Sequence, residues 1–102
     1  MTGKWKNSIK LISYSGGGIL SKELIKSNKL NVTLFCMAEG TELSEHTSTK
    51  EGTVLVLEGK GLFNLEGEEI PMQKGILIFM KKNAVHSLKA EKNTSFILSL
   101  AD

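Results

Sequence analysis

Short β-rich runs alternate with turn signals along the whole chain, and nothing between them reads as a long helix. The runs are Ile9–Tyr14, Leu20–Lys26, Leu30–Met37, Thr53–Leu57, Gly61–Leu65, Glu69–Met72, Ile76–Met80, Val85–Lys89 and Ser95–Leu100. Glycine, asparagine and serine mark the breaks, at Ser15-Gly16-Gly17-Gly18, Glu39-Gly40, Glu58-Gly59, Glu66-Gly67, Lys74-Gly75 and Lys82-Asn83. Many short strands at this spacing predict an all-β sandwich or barrel. Two segments alternate, Gly61–Glu66 and Thr94–Leu100, so each turns one apolar face to a core. Val54–Leu57 and Ile76–Met80 are continuously apolar, which predicts strands covered on both faces, one face by a partner chain. The single proline, Pro71, makes its strand an edge or the end of a pairing.

With 102 residues the chain holds one domain, read as residues 1–102. Its 13 basic and 11 acidic residues are mixed along the sequence, for a net charge of +2. No basic run beyond Lys81-Lys82 and few aromatic residues are present, which argues against a nucleic-acid partner. No apolar stretch approaches the roughly 20 residues of a membrane span, and the N-terminus MTGKWKNSIK is too polar for a secretory signal. Cys36 is the only cysteine, so no intrachain disulfide and no cysteine zinc site can form. These features predict a cytoplasmic protein. Gly16–Gly18 lacks the Gly-Lys-Ser/Thr of a phosphate-binding loop, and no serine sits in a G-x-S-x-G elbow.

The chemistry-bearing residues are His46, Glu51 and His86. Two imidazoles and a carboxylate can hold a divalent metal and leave positions open for a ligand. Equally, two imidazoles can hydrogen-bond a polar ligand with no metal present. Ser48, Thr47 and Thr49 could offer hydroxyls to a pocket mouth or fill a polar loop. Phe35, Met37, Leu55, Phe63, Phe79 and Leu88 are candidates for pocket wall or core, with Phe35, Met37, Phe79 and Ser48 placed in the pocket. Trp5, between Lys4 and Lys6, is expected to pack across the sheet of a homodimer partner.

The order of these features resembles the cupin superfamily. Its members are small jelly-roll barrels, also called double-stranded β-helices. Their first motif, G-x5-H-x-H-x3–4-E-x6-G, is similar to residues 40–59, where Gly40 and His46 match and Glu51 and Gly59 match within one residue. Their second, G-x5-P-x-G-x2-H-x3-N, is similar to residues 75–90 through Gly75 and His86. The departures are Ser48 for the second motif-one histidine, Lys81 for the proline, Asn83 for the glycine and Ala90 for the last asparagine. The resemblance implies a cupin barrel. It implies a divalent transition metal (iron, manganese, nickel, zinc or copper) on His46, Glu51 and His86, beside a small polar ligand. As an enzyme such a chain would be a metal-dependent oxygenase, isomerase or decarboxylase. Without the metal it would be a ligand-binding or sensor module.

Overall fold

A computed structural model describes residues 4–102. Among the described residues nine strands make two antiparallel sheets. They are β1 (Ile19–Lys26), β2 (Leu30–Met37), β3 (Glu42–His46), β4 (Glu51–Glu58), β5 (Gly61–Leu65), β6 (Glu68–Met72), β7 (Leu77–Met80), β8 (His86–Ala90) and β9 (Thr94–Ala101). The larger sheet has the order β1-β2-β9-β4-β7 and the smaller β3-β8-β5-β6. Successive segments cross between sheets, which is the jelly-roll arrangement. Among the described residues no helix is long and apolar enough to cross a membrane.

Alternation decides what each sheet buries. On β4, Gly52, Val54 and Val56 face inward. Met37 on β2, Phe63 on β5, Met72 on β6, Ile78 and Met80 on β7, Leu88 on β8 and Phe96 on β9 meet them in one core. Phe35 and Phe96, paired across β2 and β9, stack with ring centroids 5.1 Å apart.

The strand expected over Ile9–Tyr14 is instead a 3-10 turn, Ser8–Leu11, capped by Asn7 and followed by extended chain. The Asn7 side chain accepts a hydrogen bond from the Lys10 amide, which satisfies a helix-start donor locally. This segment lies against the larger sheet. Lys22 Nζ donates to the Leu11 carbonyl at 2.7 Å, and the Tyr14 hydroxyl donates to Glu58 Oε2 at 2.7 Å. Burial pushes the Tyr14 pKa from 10.0 up to about 12, and the Glu58 carboxylate adds to that rise. A strand absent from the sequence reading, β3, is a polar edge strand with Leu43 as its one large apolar residue.

Candidate functional site

β3 and β8 position the two histidines. Leu43 pairs with Leu88, and three residues later His46 pairs with His86. Only Ser87 separates the partners on β8, so β3 carries one extra residue there, a β-bulge. Simple alternation from Leu43 would send Glu45 inward and His46 outward. The bulge reverses that order beyond Ser44. His46 and His86 then meet edge to face, with ring centroids 4.1 Å apart and planes at 62°.

Each imidazole is held by the backbone two residues before it. His46 Nδ1 lies 2.6 Å from the Ser44 carbonyl, and His86 Nδ1 lies 3.0 Å from that of Ala84. A carbonyl only accepts, so each Nδ1 carries the proton and each Nε2 is left with a lone pair in the neutral ring. Phe63 stacks on His86 almost in parallel, 2° between planes, at 5.7 Å. His86 is 6% exposed. Its pKa is lowered, first by burial, and by the neighbouring His46, against the opposing pull of the Ala84 carbonyl. The loops around the pair are tied together. The Asn83 amide donates to the Ser48 carbonyl at 2.7 Å, and the Glu66 carboxylate accepts from the Val85 amide. Asn83 takes a left-handed φ of 65°, the conformation expected where the family has glycine.

Behind the imidazoles lies a cavity of about 40 Å³ lined by Phe35, Val54, Phe63, Met80, Phe96 and Leu98, among others. Wider depressions, of about 380 Å³ over the smaller sheet and about 720 Å³ beside Trp5, contain neither histidine. We place the site at the smaller cavity, because there the two imidazoles converge on an apolar recess.

Not every residue singled out in the sequence is in this recess. Phe35 lines it. Met37 is fully buried in the core but stands outside the lining. Phe79, 54% exposed, and Leu55 sit on the outer face of the larger sheet, because Ile78, Met80, Val54 and Val56 take the inward positions. Ser48 is a loop residue whose hydroxyl accepts from the Lys50 amide. Glu51 is exposed and shares the outward parity of Thr53 and Leu55. The inward neighbour is Gly52, where a Cβ would overlap the Ser99 carbonyl oxygen and come within 2.6 Å of Leu100 Cδ2. Sequence reasoning missed the recess residues Leu43, Val54, Phe96 and Leu98, which carry no signal beyond being apolar.

Residues 33–100 match the cupin domain family. The chain belongs to that family. An uncharacterised protein of Aquifex aeolicus is 29% identical over 97 residues, covering 93% of this cupin and 80% of the relative. A protein of unknown function from Streptococcus pyogenes has the same fold, with a TM-score of 0.87 at 22% identity over 100% of this cupin and 90% of that chain. Salicylate 1,2-dioxygenase from Pseudoaminobacter salicylatoxidans aligns with a TM-score of 0.77 at 18% identity, over 88% of this cupin and 28% of that enzyme.

Cupins often bind a transition metal. Among the described residues no group of three or more histidine, cysteine, aspartate or glutamate side chains is placed to hold an ion. His46 and His86 are the candidate donors that the structure brings into contact.

Proposed function

We propose that this cupin binds a small organic molecule in the recess behind His46 and His86, with no resident metal. The observation that carries the reading is the imidazole pair, its ring centroids 4.1 Å apart beside an apolar cavity, with no third donor grouped with it among the described residues. The imidazoles supply polar recognition, and Phe35, Phe63 and Phe96 supply apolar contact. Imidazole protons spectroscopically titrated with small organic fragments in a chelator would test it. Saturable shifts at both rings, unchanged by the chelator, are expected. Binding that vanishes on chelation would overturn the reading.

One observation favours a second reading. Carbonyl-held Nδ1–H groups are a common support for metal-bound histidines, because they present Nε2 outward. A divalent metal held by His46 and His86 would then be completed by water and ligand atoms. Elemental mass spectrometry decides between the two. Near-stoichiometric iron, manganese, nickel, zinc or copper, lost in both His46→Ala and His86→Ala, would establish the metal. The fold does not choose among oxygenase, isomerase, decarboxylase or non-catalytic roles.

We also infer that two copies associate through the outer face of the larger sheet. Registers align Leu77, Leu55, Ile97 and Leu34 in one row across β7, β4, β9 and β2. The next row runs Phe79, Thr53, Ser99, Val32 and Ile25, the last on β1. Leu77 is 66% exposed and Trp5, at the end of this face, 89%. Leu77, Phe79, Leu55 and Ile25 stay exposed on this face, although Leu34 is covered, and this exposed apolar surface supports an interface between copies. Sedimentation should give a dimer for the native chain and a monomer for Leu77→Asp with Phe79→Asp; a native monomer at millimolar concentration would exclude it. Cys36, free and buried, suits the reducing cytoplasm we assign to the protein.

A further inference from the structure

Resting on the ligand-binding reading above, we infer that the recess selects molecules whose buried end is compact, apolar and tipped by a hydrogen-bond donor, such as an alcohol. Three observations lead there. The cavity of about 40 Å³ admits only a few heavy atoms, since one water needs roughly 10–15 Å³ measured in this way. Its lining apart from the histidines is entirely apolar. Both imidazoles have their Nδ1 protons committed to the Ser44 and Ala84 carbonyls. His86 is 94% buried (6% exposed), yet Nδ1 to Ala84 is its only hydrogen bond among the described residues.

In the neutral state, therefore, the uncommitted ring nitrogen of each histidine lining the recess is an acceptor. A ligand carbonyl would find no donor there and would leave two lone pairs opposed to its own. A purely apolar ligand would bury the His86 acceptor without a partner. A hydroxyl fits, donating to one Nε2 while its carbon body lies against Phe63, Phe96 and Leu98. No lysine, arginine or carboxylate lines the recess, so nothing there favours a permanently charged head.

Three probes share one shape and differ in a single group: 2-propanol, acetone and isobutene. Each would be titrated into the full chain at about pH 8, where an ordinary imidazole is neutral, with a chelator present. Shifts of the His46 and His86 ring nitrogens would be followed. We expect 2-propanol to bind about tenfold more tightly than acetone or isobutene, the size of one well-made hydrogen bond. In His46→Phe, which keeps an aromatic ring but removes an acceptor, that preference should shrink. Acetone binding as tightly as 2-propanol would show that a ring donates, and would overturn the inference. Isobutene binding as tightly would show that the imidazoles only pack, and would overturn it too. Either result leaves the ligand-binding reading standing. If none of the three shifts either ring, the recess is not a binding site and both readings fall.

Discussion

Substituting Gly52 by alanine tests whether the inner wall can hold a side chain where a third site residue would be needed. A methyl group there would overlap the Ser99 carbonyl oxygen and approach Leu100 Cδ2 to 2.6 Å, where ordinary contact begins at 3.4 Å. Leu100 can rotate away. Ser99 cannot, because it belongs to β9, which pairs with both β4 and β2. Relief requires prying β4 from β9 beside the core. Overpacking of this kind costs about 1–3 kcal/mol, and backbone rather than side-chain displacement puts Gly52→Ala near the top of that range. For a domain of this size each kcal/mol lowers Tm by roughly 4–8 °C, so a loss of about 10–20 °C is expected. Gly16→Ala is the control, since nothing lies within 4 Å of its added Cβ; it should change stability by no more than about 0.5 kcal/mol. Urea unfolding of both variants gives the comparison directly. A Gly52→Ala variant as stable as the native chain, with an unchanged urea slope, would refute the reasoning. The inner wall at position 52 would then have room for a side chain that the close approach of β9 is expected to exclude.

Three further outcomes follow from the same geometry. His86 has a folded-state pKa below its ordinary 6.5, so the unfolded chain binds more protons below that pH. The His86 contribution to stability should be level above pH 6.5 and be lost as pH drops below it, a slope that His86→Leu should reduce in denaturant titrations. Tyr14 is displaced the other way, to about 12. Its neutral form is favoured by folding, so stability should fall between pH 10 and 12, and Tyr14→Phe should lack that alkaline loss. Phe63→Leu removes the ring stacked on His86; it should cost about 1–2 kcal/mol and move the His86 pKa back toward its ordinary value, measurable by NMR titration.

Most of the barrel was legible because turn residues and apolar runs are local signals. Eight of the nine strands coincide with sequence runs, their ends shifted by a residue or two. The ninth, β3, has a single large apolar residue, Leu43, and so gave no periodic signal. Ile9–Tyr14 has strand composition, yet the Asn7 cap and contacts to Lys22 and Glu58 hold it as an irregular cover. The histidine pair was legible by motif order. Glu51 shows the limit of motif matching in a strand, because a displacement of one residue transfers a side chain to the opposite face. Val54 and Val56 must face the core, so Glu51 faces out however closely its sequence position fits.

The bulge on β3 makes the same point in reverse, and it yields a deletion with an unusual expected result. Ser44 and Glu45 together oppose Ser87, between the Leu43–Leu88 and His46–His86 pairs. Removing Glu45 would leave Ser44 alone opposite Ser87 and convert this stretch to a regular ladder. Leu43 and His46 would then be two apart and share the inward face by simple alternation. Deleting one residue beside a site normally destroys it. Here the deletion should preserve the imidazole contact, because β3 is an edge strand and no second neighbour has to shift register with it. The His46 Nδ1 proton, which now meets the Ser44 carbonyl, would face that of Leu43 instead. Nuclear Overhauser contacts between the two rings, together with a still-depressed His86 pKa, would verify the expected geometry. Loss of both in a folded variant would mean that loops, rather than strand parity, aim His46 at its partner.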